Sequence, residues 1–245
     1  MEKNCIIILI SRFLLFIVSN SHSVKNSLKV VFIIFVVLFL DQALKFYIKT
    51  TFCYGEERSL LGLSWARLNF VENPGMAFGL EYGGAIGKLF LSVFRLCAIG
   101  LMIYIALTVK RFIPFGLLLG FSLILAGAIG NIIDSAFYGL VFSESDFHCI
   151  TGPAKFLPPQ GGYANFLHGR VVDMLYFPMF QIPKKIPYFG GSMFFQPVFN
   201  LADASITIGV AIIFLFYRRF FNNEVETTEQ KPESGLQNSY INKAL

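Results

Sequence analysis

Apolar residues run along this chain in long blocks, and polar residues gather where the blocks end. Four blocks match the roughly 20 residues that a helix needs to cross the hydrocarbon core of a bilayer. They are Val30–Ile48, Leu89–Val109, Pro114–Ile133 and Val198–Tyr217. Pro114 opens the third at a first-turn position, where its missing N–H costs nothing. An earlier run, Cys5–Val18, is short for a span, is interrupted by Arg12 and precedes no small-residue cleavage site. It reads as a signal-like segment, an interfacial helix or the product of an upstream start codon. Residues 1–27 are therefore an N-terminal extension without assigned role, 28–221 a membrane domain, and 222–245 a polar tail expected to lack order.

Composition sharpens this picture. Hydrophobic residues make up 55% of the chain and charged ones 14%, with a mean hydropathy of +0.63. A soluble domain would be about a quarter charged. The class is an all-α polytopic membrane protein. Its net charge of +5 does not point to nucleic acid, because the basic residues cluster at segment ends rather than on one face. Lys25 and Lys29 precede the first block, Lys110 and Arg111 separate the second from the third, and Arg218 and Arg219 follow the fourth. By the positive-inside rule both termini are cytoplasmic, and segments 49–88 and 134–197 face outward. Four Cys without a C-x-x-C and three scattered His give no zinc spacing.

Within the outer segments, Trp65–Val71 alternates enough to read as a strand, and Asn73-Pro74-Gly75 is a turn signal. The stretch reads equally as a small extracytoplasmic β element or as a loop whose Phe78 anchors it at the interface. Four of the five Asp, at 41, 134, 173 and 203, lie in or beside apolar segments, where an unpaired carboxylate costs several kcal/mol. By the orientation above all four collect near the outer membrane boundary. Asp41 and Lys45 stand one helical turn apart and can satisfy each other as a buried pair. Asn131 and Asp134 share a helical face, near Gly127 and Gly130, whose small size permits close helix contact. That face reads either as interhelical glue or as part of a site.

Without a paired Ser and His, a metal cluster or a phosphate loop, two carboxylates are the catalytic equipment on offer. Asp173, after Val171-Val172, and Asp203, at the head of the last apolar block, are the pair. Two Asp sharing a site cannot both ionise cheaply, so one holds a proton. The ionised partner then takes a proton from water while the protonated one polarises a carbonyl, which is aspartyl proteolysis.

Five ordered motifs carry a resemblance. D-Q-A-x-K at 41–45, N-P-G-M-A-F-G at 73–79, G-A-I-G-N-I-I-D at 127–134, G-R-V-V-D at 169–173 and F-N-L-A-D at 199–203 are similar to those of the lipoprotein signal peptidases, signal peptidase II. The resemblance covers residues 28–220. It implies four transmembrane helices with both termini inside, and an enzyme of the bacterial inner membrane that removes signal peptides from diacylglyceryl-modified prolipoproteins. Cleavage falls just before the lipidated Cys, on the periplasmic side. It implies the catalytic pair Asp173 and Asp203, with Asn73, Gly75, Asn131, Asp134 and Asn200 shaping the site and Asp41 and Lys45 forming the first-helix motif. It implies no metal or cofactor, contact with membrane lipid, inhibition by globomycin and a monomer.

Three departures stand out. The family carries Arg where this chain has Ser135, and Arg170 is the candidate to replace it by closeness in sequence. The segments 134–173 and 173–203 are both enlarged, giving long outer loops. Asp146, in the polar stretch Ser143–Phe147, competes with Asp173 for the first catalytic position. It is expected to be solvated with an ordinary pKa, whereas Asp173 keeps the G-x-V-x-D spacing among apolar neighbours. Cys53 and Cys149 both fall in outward segments, so a disulfide is open to them. The competing readings are a small transporter or channel using boundary Asp as an ion path, and a purely structural subunit.

Overall fold

The computed structural model describes residues 24–74, 84–108, 115–185, 188 and 190–229. Helix α1 spans Val24–Thr51, α2 Gly84–Thr108 and α3 Phe115–Ile133. A π-helical turn, Asp134–Tyr138, and a short α4, Gly139–Val141, continue α3 without a break. Helix α5 spans Leu201–Glu229. Among the described residues, three stretches are long and apolar enough to cross a membrane, Leu28–Thr51, Gly87–Tyr104 and Phe115–Val141. The apolar part of α5, Leu201–Leu215, is shorter, and the helix runs on past it.

Several boundaries differ from those the sequence suggests. The third helix does not stop at Ile133, because the π turn carries it to Val141. The fourth begins at Leu201 rather than Val198, since Phe199 pairs as a β-bridge with Leu175 and Asn200 caps the helix. Residues 24–27, placed in the extension, belong to α1, and α5 enters the expected tail as far as Glu229. Neither stretch contains the Gly or Pro that would stop a helix. The remainder of the extension and of the tail lies outside the described residues, as do Gly75 and Phe78.

Helix α1 is two-faced. Phe32, Phe35, Phe39 and Phe46 follow one another down one exposed stripe, with Phe35 and Phe39 stacked at 6.1 Å. Asp41, Lys45, Ile48, Lys49 and Phe52 line the opposite, buried face. In water an exposed phenylalanine stripe would be a liability; against acyl chains it is the solvated face. Helices α3 and α5 pack at the centre, and their backbones meet at small residues. A Cβ built on Gly120 would lie 2.8 Å from the Gly209 carbonyl oxygen, and one on Gly127 only 2.3 Å from that of Ala202. In lipid, where apolar burial brings helices together weakly, such close approach is the source of association.

A three-stranded antiparallel sheet caps the end of this bundle, in the order β1 (Glu57–Ser59), β2 (Arg67–Asn73), β3 (Val171–Tyr176). The strand read at Trp65–Val71 is β2, shifted two residues on; β3 stands where the sequence suggests only loop. A register shift between Leu68 and Val71 sets Val71 opposite Asp173. Ile48, Phe52, Phe70, Tyr138, Phe142, Val172 and Met174 form one core that fastens the sheet to α1 and to the extension of α3. A disulfide joins Cys53 to Cys149, with 5.5 Å between their Cα atoms, and ties the first enlarged loop to the end of α1.

Gly127→Val tests the α3–α5 contact. Overpacking of this kind costs about 1–3 kcal/mol or more, read as a lower midpoint of thermal unfolding in detergent. An unchanged midpoint would show that the helices do not meet there.

Candidate active site

The site is built around the start of α5. Asn200 is its N-cap: its Oδ1 accepts from the Asp203 N–H at 2.8 Å, the third helical position. The Ala202 N–H, also orphaned at this helix end, donates to Asp41 Oδ1 of α1 at 2.9 Å. Two side chains from separate segments therefore satisfy the helix start, and Asp203 sits in its first turn, where the helix dipole favours negative charge.

Lys45 stands behind this arrangement, wholly buried. Its three N–H groups have three acceptors: Asp41 Oδ2 at 2.9 Å, Asp134 Oδ2 at 2.8 Å and Asn131 Oδ1 at 3.0 Å. The i,i+4 pair expected within α1 forms, and it also reaches α3 and α5. Asn131 and Asp134 do share a face, which meets Lys45. Gln42, which the motif contains but the sequence gives no role, donates to Asp134 Oδ1 at 2.9 Å and to Asp41 Oδ2 at 3.1 Å.

In front of the lysine lie Asp173 and Asp203. Asn200 Nδ2 donates to Asp173 Oδ1 at 2.6 Å and to Asn131 Oδ1 at 3.2 Å. Asn131 Nδ2 donates to Asp203 Oδ1 at 2.7 Å. Two asparagines thus stand between the carboxylates and the buried charges. Asn73, at the end of β2, also hydrogen-bonds to Asp173. Burial, then the charge of Asp203, pushes the Asp173 carboxyl up to about 7, while Asn200, Asn73 and Lys45 oppose the rise.

Asp146 is elsewhere. It holds its own loop together, accepting from the N–H groups of His148 (2.9 Å), Ile150 (2.7 Å) and Thr151 (3.1 Å). The His148 N–H, and then that of Thr151, hold its carboxylate below the ordinary value, rather than at it as the sequence suggests. Arg170 does not stand in for the family Arg either. Its guanidinium pairs with Glu72 Oε2 at 3.2 Å and Glu144 Oε1 at 3.1 Å, over the ring of Tyr163. Arg95 on α2 is a cation within electrostatic reach of Asp203, Asp134 and Asp173. Ser135 is buried and donates to the Asn131 carbonyl at 3.1 Å.

A second buried cluster escapes the sequence reading. Lys49, one turn beyond Lys45, pairs with Glu72 and donates to Ser145 Oγ at 3.0 Å, inside a cage of Phe70, Phe142 and Tyr163. Ser145, in a stretch that reads as solvated, is buried here. The i+4 spacing of the two lysines is the signal that could have found it. The cluster fixes β2, and with it Asn73, against α1.

The raised carboxyl has a stability consequence. Asp173 binds its proton more tightly folded than unfolded, so its contribution favours the folded state at low pH. That contribution fades as pH climbs from 3.8 through about 7. Asp173→Asn removes the ionising group and should raise the thermal midpoint relative to wild type above about pH 8, with little difference near pH 4. A midpoint difference independent of pH would show that Asp173 is not held protonated.

A family model described as Signal peptidase (SPase) II matches residues 33–219. A lipoprotein signal peptidase of Porphyromonas gingivalis is 42% identical over 213 residues, covering 84% of this chain and 90% of that relative. One from Amoebophilus asiaticus is 36% identical over 197 residues, with 78% of each covered. Among solved structures, a bacterial membrane enzyme shares the fold with a TM-score of 0.51 and 23% identity, over 76% of this chain and 90% of that one. The chain therefore belongs to the signal peptidase II family.

Proposed function

We propose that Asp173 and Asp203 are the catalytic pair of an aspartic-type endopeptidase at the outer face of the bacterial inner membrane. The chain is a bacterial membrane protease that removes signal peptides from prolipoproteins. What supports the finer reading is Asp173, a buried carboxyl raised to about 7 by burial and by Asp203, beside a second carboxylate on a helix N-terminus.

Near neutral pH Asp173 keeps its proton beside the second carboxyl, because two carboxyls sharing a site cannot both ionise cheaply. Asp173 holds that proton and donates a hydrogen bond to the scissile carbonyl. Asp203 takes a proton from the attacking water, whose oxygen bonds to the carbonyl carbon. Collapse of the tetrahedral intermediate breaks the C–N bond, and the leaving nitrogen takes a proton from the pair. Asn131 and Asn200 fix both carboxylates, and Asn73 borders the same space from the sheet. Lys45, Asp41, Asp134 and Gln42 hold the framework. A peptide bond beside a diacylglyceryl-modified Cys would reach such a site, where the spans emerge from lipid.

Four spans with both termini inside follow from reading α5, which continues past Leu215 to Arg218 and Arg219, as the fourth crossing. The Cys53–Cys149 disulfide supports this orientation independently, because such bonds persist on the oxidising side of the membrane. The reading includes contact with membrane lipid, action as a monomer, and globomycin as an inhibitor of the same site.

The deciding experiment is cleavage of a diacylated prolipoprotein peptide by the purified protein, with and without globomycin. Asp173→Asn and Asp203→Asn should each lower turnover at least ~10²-fold, at normal protein levels, while Asp146→Asn cleaves normally. Wild-type turnover should fall as pH rises above about 7, where Asp173 loses its proton. Full activity in either dyad variant would remove the mechanism. For orientation, a Cys at the exposed Gln160, with Cys5 and Cys97 replaced by Ser, should react with an impermeant maleimide in intact spheroplasts. Reaction only after lysis would invert the topology.

A further inference from the structure

The first enlarged loop is two-faced in a way its polar stretches conceal. Its inner side packs Phe142 and Ala154 into the protein. Its outer side carries Phe156, Leu157 and Phe166, each about half or more exposed. These do not stand alone. The Phe156 ring meets Phe46 at 5.2 Å, and the Phe166 ring meets Phe137 at 5.9 Å. Leu157 N–H donates to the Val141 carbonyl at 2.7 Å, and Ala164 N–H to that of Gly139 at 2.9 Å, so the loop is laced along α4 beside the exposed Leu140. Phe46, Phe156, Leu157, Leu140, Phe137 and Phe166 thus form one apolar strip, between 42% and 64% exposed.

We infer that this strip is a lipid-binding surface, seated among the acyl chains of the outer leaflet. Two observations choose the bilayer as its occupant. First, the strip continues faces that are already lipid-facing. Phe46 lies on the stripe of Phe32, Phe35 and Phe39, and Phe137 and Leu140 lie within the apolar stretch Phe115–Val141. By the 1.5 Å helical rise Phe46 is about 7 Å below the end of α1, so Phe156 is held at membrane depth. Second, charge agrees. From Phe147 to Val172 the chain contains no acidic residue, and the exposed Lys155 adjoins Phe156, placed to reach headgroup phosphates.

The loop therefore acts as an apron in the interface rather than a lid in the aqueous space. The π turn shows what that serves. It buries Asp134 on its inner side and presents Phe137 on its outer side, so the apron's lipid contacts lie one helix diameter from the site framework. The inference rests on the membrane reading of α1 and α3 and is independent of the catalytic pair.

The test uses the full chain in vesicles of phosphatidylcholine and phosphatidylglycerol. With Trp65→Phe removing the native tryptophan, single tryptophans are introduced as Leu157→Trp, Phe166→Trp, Gln160→Trp and Phe39→Trp. Acyl-chain-brominated lipid should quench the probes at 157, 166 and 39, and iodide should quench the one at 160. If 39 is quenched by brominated lipid while 157 and 166 respond to iodide like 160, the apron is overturned and the spans stand. If 39 also answers to iodide alone, the membrane reading fails and takes the inference with it.

Discussion

One ammonium group organises this protein. Lys45 is wholly buried, and three acceptors, one on its own helix and two at the end of α3, must converge on it. A charge in that setting is tolerable only when paired and hydrogen-bonded. α1 and α3 are therefore locked in register. Asp41, held by the lysine, turns its other oxygen to the start of α5 and fixes that helix as well. The carboxyl pair in front is positioned by what stands behind it, through Asn131 and Asn200.

The sheet extends the same logic outward. Asp173 sits on a strand with polar anchors on both sides. Asp134 Oδ2 accepts from the Val172 N–H at 3.3 Å, and Lys49 with Arg170 holds Glu72 on the neighbouring strand. Side chains on strands and helices are held to tighter tolerance than side chains on loops. The first enlarged segment contributes Phe142, Ser145 and Tyr163 to this frame around Lys49.

Much of this was legible from short-range spacing. The Asp41–Lys45 pair and the shared face of Asn131 and Asp134 follow from helical geometry. Asn200 and Asp203 carry an N-cap pattern, although apolar Val198 and Phe199 blur the boundary by continuing the hydrophobic block. Asp173 was harder to place. Val171 to Met174 are all buried, so β3 lacks the alternation that announces a strand. The Lys49–Glu72–Ser145 cluster joins segments far apart in the chain, and the i+4 spacing of Lys45 and Lys49 marks the lysine without naming its partners. Arg170 does lie beside Ser135 in space, since the Gly169 N–H donates to the Ser135 carbonyl at 2.8 Å, but Glu72 and Glu144 claim its guanidinium.

The Cys53–Cys149 bond joins residues 96 positions apart, with α2 and α3 between them. On the proposed topology, Cys53 emerges when the first helix is in place, but its partner reaches the same side only after the chain has gone back across the membrane and returned. Oxidation of this pair would thus record that the first three crossings are made, before α5 follows. A molecule stalled after its first crossing would carry a free thiol at Cys53, open to chaperones and oxidoreductases, while the finished protein offers them none at that position.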